Sequence, residues 1–498
     1  MRIKPNYLLG LIFLATIVVR LTLAFTIPNF TYESYFHLRQ VEHITATGLP
    51  LYNDPLSYGG RELIFLPLFH YLTAAFNLFL PLELVAKILP NLLLASLTII
   101  IYLICKKTVK DETASLFSAF VAGFLPILYQ TNSFIPETLF IPLTFWTIYA
   151  FINLREKNKE KKYLLTYILS FLALSLTSSA TFLLIVGLGI YLLLNKLEKI
   201  STGKEEIELM LFSLFFFIWI QFLFFKQVLI TEGISFIWQN VPSQIINEFF
   251  PDISIAQVLV LVSIIPFITG ILVAYRSLFY LKNKKQLIFI SFVVSTTILA
   301  WAKLIKFNLS LSFLAVILAI LFASFYVDFR DYWSKTKASW LNKHLSKIII
   351  ALLILATCVP AINTSFQQIT PSDEEVEAFR WIKDNTPSES TVLALVEEGH
   401  LVTYYSQRKN VMDDNFALED KVEERFNDIN IIYKTQFQTK ALELTDKYEI
   451  DYVILSTEAK ERYALKSRFN YYTPECFERL YKEETKVYEI SCTLEIKT

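Results

Sequence analysis

Phe30-Thr31-Tyr32-Glu33-Ser34-Tyr35-Phe36-His37-Leu38-Arg39 follows directly on an apolar run, 8 to 28, long enough to cross a bilayer. The decapeptide sets a carboxylate, an imidazole and a guanidinium among aromatic rings where the chain leaves that run. A span followed at once by a loop rich in ionisable and aromatic groups reads as a membrane protein with a working outer loop. Composition agrees, since 54% of the 498 residues are hydrophobic, only 11 are Gly, and the apolar residues fall in span-length blocks. Lys+Arg and Asp+Glu are equal at 46 each, so net charge points to no nucleic acid or acidic partner.

Outward from that loop, the hydrophobic blocks predict about 11 transmembrane helices: 8 to 28, 83 to 105, 113 to 130, 138 to 154, 163 to 178, 180 to 195, 208 to 229, 254 to 276, 286 to 302, 307 to 327 and 347 to 363. Leu63 to Pro81 is also long enough to cross but carries Pro67, His70 and Pro81. Read as an interfacial helix within an outer loop 29 to 82, it leaves the basic runs on one side, among them Arg155 to Lys162, Arg276 to Lys285 and Arg330 to Lys347. That side is then the cytoplasm and holds the N-terminus, with 364 to 498 outside. Arg2 and Lys4 precede an apolar run of span length without a small-residue cleavage site, the pattern of a retained anchor.

The fold class expected is a polytopic α-helical membrane domain, 1 to 363, followed by an extracytoplasmic α/β domain, 364 to 498. In the latter, Ser372 to Asn385 reads as a helix started by Pro371-Ser372-Asp373 and Glu375. Thr391 to Val396 and Asp451 to Leu455 read as buried strands, Lys440 to Tyr448 as a helix, and Phe477 to Leu494 as a hairpin turned around Lys482 to Glu484. Cys476 and Cys492 lie in this exported part; two cysteines alone establish no framework, so a bridge and two free thiols both remain open.

The succession of a span, YESYFHLRQVE, NDPLSYGG, an interfacial helix, a turn before ETLF, and a tail with EEGHLVTYYSQRKNVMDDN resembles the catalytic subunit of oligosaccharyltransferase, in its single-subunit archaeal and bacterial forms, within the GT-C membrane glycosyltransferases. The resemblance implies an inverting transferase on the outer membrane face that uses a polyprenyl phosphate- or pyrophosphate-linked sugar and a divalent metal, Mg or Mn. It casts Glu33 as the acid of the first outer loop, a metal ligand that contacts the acceptor. Glu137 falls on the second acid of a DxD-type motif whose first acid is replaced by Ile135. Lys306 stands where a basic residue holds the donor phosphate, and Glu248 for an acid that reaches the acceptor. His37 and Arg39 are further candidates for the donor phosphate or a lipid head group. Where the family has WWDYG as its acceptor grip, this chain has Leu395-Val396-Glu397-Glu398-Gly399, so Glu397, Glu398 and Gly399 are the acceptor-binding candidates. Tyr404, Tyr405 and Asp413-Asp414-Asn415 survive beyond it.

The chemistry also follows from the residues. Breaking an anomeric carbon to phosphate bond leaves growing negative charge, which a metal on carboxylates and a lysine stabilise. A carboxylate such as Glu33 can alternatively take the acceptor's proton, but not while metal binding lowers its basicity. Plainer roles stand beside these: Glu137 at a helix start also meets the helix dipole, and Lys306 also reads as a snorkelling residue at a span end. The outer segments are expected to converge on one site around a sugar phosphate. The acceptor class, whether polypeptide, lipid or polysaccharide, stays open, and the integral membrane setting is read as the plasma membrane of a prokaryote. The alternatives are an inactive relative that binds lipid-linked glycans and a transporter; against the latter, no repeated half or midplane pair of broken helices is legible.

Overall fold

A computed structural model of the chain describes residues 4–154, 160–233, 240–246, 254–279, 284–336 and 342–494. The residues form two compact units. The first comprises Met1–Ile27, Leu66–Phe224 and Glu248–Gln368; the second comprises Pro28–Phe65, Phe225–Asn247 and Ile369–Thr498. The second unit thus includes the loop Pro28–Phe65 after the first span together with the tail, and the units do not follow one cut near residue 363.

Each predicted span overlaps helix, although the helix within 113 to 130 ends early, at Gly123, with only a single 3-10 turn, Pro126–Leu128, beyond it. Among the described residues, six helices are long and apolar enough to cross a membrane, and seven if Ile255–Val262 and Ile264–Phe279, bent by 98°, count as one span. Four further helices, Glu112–Gly123, Glu137–Asn153, Glu160–Ser175 and Lys284–Trp301, correspond to the shorter predicted spans. This is an integral membrane protein. The stretch 63 to 81 contains a single helix, Leu68–Asn77, whose ten residues reach only about 15 Å and cannot span a bilayer. Phe69, His70, Thr73 and Ala74 are its buried face, while Phe76, Leu78 and Phe79 beyond them are exposed.

In the first unit the helices pack through one apolar cluster centred on Phe307–Trp333, in which Leu311, Phe313 and every residue from Ala315 to Ala323 are buried. Directions follow from two contacts. Arg330 pairs with Asp111 at 2.8 Å and Tyr326 packs on Phe117 at 4.8 Å, so Phe307–Trp333 runs antiparallel to Glu112–Gly123. The connection 124 to 136 stays at the far end: Arg20 Nη2 donates to Leu128 O at 2.7 Å, and Asn132 Nδ2 and Lys87 Nζ both donate to Ile27 O. Glu137–Asn153 therefore starts at the same end as Phe307–Trp333, and Phe145 stacks on Phe313 with ring centroids 5.0 Å apart. Arg20, inside the first span, is 2% exposed and also donates to Asn91 at 3.1 Å over the Tyr129 ring, which satisfies a charge that lipid could not.

The second unit carries two short strands, β1 (Asn53–Asp54) and β2 (Arg61–Glu62), paired antiparallel. Its sheet is built from β3 (Thr391–Leu393), β4 (Lys409–Asn410), β5 (Tyr452–Leu455), β6 (Phe477–Lys482) and β7 (Lys486–Ile490), in the order β4-β3-β5-β7-β6. β3 is parallel to β4 and β5, while the hairpin β6–β7 joins antiparallel. β5 is buried at all four positions, as its unbroken apolar run requires of a strand covered on both faces. Asp373–Asn385 buries Val376, Phe379 and Ile382, with Ser372 capping its start through the Glu375 N–H. The predicted helix near 440 to 448 is Gln438–Lys447, and the predicted hairpin is β6–β7. Of the two readings left open for the cysteines the bridge holds, since Cys476 and Cys492 are disulfide-bonded.

Arg20→Met keeps the apolar stem but leaves Leu128 O and Asn91 Oδ1 without their donor. It is expected to lower stability by about 2–3 kcal/mol, read as an earlier unfolding midpoint in detergent.

Candidate functional site

The second unit draws its first loop onto the tail through buried charge. Asp413, fully buried, is the hub. Its Oδ1 accepts from Arg61 Nη2 at 2.9 Å and from the Asn415 N–H at 3.1 Å. Its Oδ2 accepts from Ser57 Oγ at 2.6 Å and Asn410 Nδ2 at 3.0 Å. Arg61 also donates to Ser57 Oγ and Asn415 O and lies over the Tyr58 ring, while Tyr58 OH donates to Asp413 O. His400 Nε2 meets Asp414 Oδ1 at 2.6 Å, with its Nδ1 4.0 Å from Asp413.

Burial alone would raise the Asp413 carboxyl, but Arg61, His400 and the Ser57 and Asn410 donors outweigh it and hold it below its ordinary value. For His400 burial opposes the charge, and Asp413 and Asp414 more than offset it, so its affinity for a proton is raised. One ligand atom each from His400, Asp413 and Asp414 lies within 4.8 Å of the others, the only such grouping among the described residues. Both Asp413 oxygens are already taken up by donors, and the fixed positive charge that meets them is that of Arg61, with the His400 ring alongside. As it stands, the cluster is an ion-paired clamp.

A second buried acidic feature lies beside it in sequence. Glu375 is 5% exposed and Glu398 1%. Tyr32 OH donates to both Glu375 oxygens at 3.1 Å, and the Leu395 N–H donates to Glu398 Oε2, with Oε1 lacking a partner. Burial pushes the Glu375 carboxyl up to about 7, opposed by the Tyr32 and Ser372 hydrogen bonds. Burial, and then the Glu375 charge, push Glu398 well above the carboxylate range.

The predicted residues are distributed as follows. Glu33, half-buried, stands at the N-cap position of Ser34–Thr47 in the second unit without a side-chain capping bond, within a turn where Ser34 N donates to Thr31 O. His37 is buried on the same helix beside the Phe36 ring. Arg39 forks onto Asp54 at 2.6 and 2.7 Å, so the loop already supplies its carboxylate. Glu397 is accessible and paired with Arg462 at 3.0 Å, and Glu398 points into the interior. A Cβ on Gly399 would lie 2.3 Å from Met412 O, so glycine is required where these backbones approach. Leu395 and Val396 are core residues. Glu137 and Lys306 belong to the first unit: each stands at the start of a helix, and the two helices begin at the same end. Counting back from the stacked Phe145 and Phe313, the two residues stand at similar depth, roughly 12 and 10 Å along parallel helices. Glu248 lies outside the described residues. The roles of Arg61, Tyr32 and Glu375 were missed by sequence reasoning, because their partners are more than 300 residues away; His400 was missed although Asp414 follows it by only 14 residues, and only the Asp413-Asp414-Asn415 motif marked one end of the network.

The family model of dolichyl-phosphate-mannose-protein mannosyltransferase matches residues 66–222. A dolichyl-phosphooligosaccharide-protein glycotransferase 2 of Archaeoglobus fulgidus is 32% identical over 101 residues, 19% of this chain and 17% of that relative. Among solved structures, the oligosaccharyltransferase of Archaeoglobus fulgidus tethered to an acceptor peptide is similar with a TM-score of 0.70 at 13% identity, over 91% of this chain and 70% of that one. The same enzyme in complex with Zn and sulfate matches equally well, again at TM-score 0.70 and 13% identity, over 94% of this chain and 71% of that one. ArnT of Cupriavidus metallidurans bound to undecaprenyl phosphate is similar with a TM-score of 0.54 at 10% identity, over 96% and 97% of the two chains. The fold is that of the GT-C membrane glycosyltransferases, and the resemblance to oligosaccharyltransferases read from the sequence holds at that level.

Two outcomes are expected of the buried charges. Arg61→Met strands the Asp413 carboxylate and should cost about 3–5 kcal/mol, measured as the unfolding midpoint of the tail. Because Glu375 and Glu398 have raised folded-state values, the stability they contribute is fully present below the ordinary carboxylate range and is lost as pH rises, for Glu375 through about 7. Glu398→Gln should flatten that alkaline decline in a melting series across neutral pH.

Proposed function

We propose that the protein is an inverting glycosyltransferase that moves a sugar or oligosaccharide from a polyprenyl (dolichyl) phosphate or pyrophosphate to an acceptor on the extracytoplasmic side. The observation that carries this reading is an acid and a lysine, Glu137 and Lys306, opening two parallel, stacked helices at one end of a GT-C fold. Lys306 holds the donor phosphate and offsets the charge that grows on it as the anomeric bond breaks. On the resemblance alone, Glu33 and Glu137 are assigned as ligands of a divalent ion, Mg or Mn; both are hard oxygen donors of the kind such ions take, and the ion would supply further neutralisation of the leaving phosphate. His37 lines the loop, and Arg39, forked onto Asp54, braces it beside the lipid head groups.

Glu248 is assigned to the acceptor side on the resemblance alone. Leu395 and Val396 are inside, so the stacking surface and donors of a WWDYG grip are missing. Acceptor contact falls to Glu397, with Glu398 and Gly399 shaping the backbone behind it, and the acceptor need not be a sequon: a polypeptide, a lipid or a polysaccharide each suits. The Cys476–Cys492 bridge supports an oxidising exterior for the tail, and the basic runs support a cytoplasmic N-terminus in a prokaryotic plasma membrane. Ile135 at the first position of the DxD-type pair favours a second reading, a relative that binds lipid-linked glycans without turning them over.

Metal-dependent release of polyprenyl phosphate from labelled lipid-linked glycans separates the two. Transfer is expected, with label on peptide, lipid or polymer naming the acceptor; binding without release supports the inactive relative. Glu33→Gln should abolish transfer while the protein stays folded in detergent, and unchanged transfer removes Glu33 from the chemistry. Lys306→Ala should weaken donor binding and Lys306→Arg restore it; equal loss in both assigns Lys306 to packing.

A further inference from the structure

The turn that carries Glu33 is held on both shoulders by the tail. Asn29 Nδ2 donates to Pro371 O at 3.0 Å and to Asp373 Oδ1 at 2.8 Å. Tyr32 OH donates to both oxygens of Glu375. After Glu33, the Tyr35 ring packs on Tyr404 and Tyr405 at 5.5 and 5.2 Å, and Phe36 packs on His400 at 5.4 Å. Within the turn, Thr31 Oγ1 and Ser34 Oγ are 2.8 Å apart, and the Ser34 and Tyr35 amides donate to Thr31 O and Tyr32 O.

Glu375 is in an unexpected state for its position. Ser372-Asp373-Glu374-Glu375 is a capping sequence, in which the glutamate side chain ordinarily returns to the N–H of the capping serine. Here Ser372 makes its half of the box, accepting from the Glu375 N–H at 3.1 Å, while the Glu375 carboxyl turns to the Tyr32 hydroxyl. The one described helix with a complete box, Ile255–Val262, shows the alternative, with Gln257 bonded back to Ser254. A buried acid drawn away from its own helix end to hold one hydroxyl next to Glu33 has a role beyond starting that helix.

We infer that Glu375, acting through the Tyr32 hydroxyl, is a positioning residue for the Glu33 carboxylate. The inference rests on the proposed role of Glu33. Without the Tyr32–Glu375 bond the N-terminal shoulder of the turn loses one of its anchors to the tail, and the first turn of Ser34–Thr47 frays, carrying Glu33 off its reacting geometry. Displacements of about 1 Å suffice to slow a positioned reaction by one to two orders of magnitude.

The test uses the full chain in lipid nanodiscs with labelled polyprenyl-linked glycan, and reads kinetics alongside amide hydrogen exchange of the segment 28–40. Tyr32→Phe, which removes one oxygen and keeps the ring, and Glu375→Leu should each lower kcat about ten-fold with little change in donor KM, and the double variant should be no worse than either. Both should speed exchange in 28–40, and Glu375→Gln, which keeps an acceptor oxygen, should restore both readouts. Native exchange in Tyr32→Phe and Glu375→Leu overturns the inference whatever the kinetics, as do additive losses or a change confined to KM. Unchanged transfer in Glu33→Gln instead overturns the role of Glu33, and the exchange readout then still decides whether Glu375 holds the turn.

Discussion

The second unit depends on one buried carboxylate. Asp413 has no access to water and would be intolerable there as a bare charge, yet every lone-pair direction is met: Arg61 and Ser57 from the loop Pro28–Phe65, Asn410 and the Asn415 amide from the tail. A loop that enters the sequence straight after the first span is thereby part of the same body as a domain that begins some three hundred residues later. The pairing is directional, so it orients the loop as well as holding it, which a hydrophobic contact of equal area would not do.

That orientation matters for chemistry carried on loops. Glu33 stands at the N-cap position of a helix whose next residues pack on Tyr404, Tyr405 and His400, and whose preceding residues are bonded to the start of Asp373–Asn385. The tail meets this turn through side chains on both sides of Glu33. What it supplies is rigidity to an acid that sits on a short turn, the kind of supporting shell on which positioned carboxylates rely. In the first unit Glu137 and Lys306 are placed by helix packing, through the register of Phe145 against Phe313.

Much of this was legible in the residues. Apolar blocks of span length mark their helices because a backbone in lipid must satisfy its own hydrogen bonds. The capping serine at 372, the apolar runs at 391 and 452 and the polar turn between Lys482 and Lys486 mark the tail's elements for equally local reasons. The basic runs keep 63 to 81 from being read as a span, and the helix there, Leu68–Asn77, is short. The capping box at Ser372, by contrast, is a local signal that the fold overrides, since the buried Tyr32 hydroxyl competes for the same carboxyl.

What the sequence determined by itself is therefore whatever a window of ten to twenty residues can specify: eleven helical segments, an α/β tail, and the identity of the acids and bases at the outer ends. Only the tertiary structure decided which of those charges are spoken for. Arg39 answers to Asp54, Arg61 to Asp413 and Tyr32 to Glu375, while Glu398 turns inward. The reason is physical: burial and pairing are properties of surroundings assembled from distant segments, and a charge reads alike in sequence whether it faces water, a partner or a substrate.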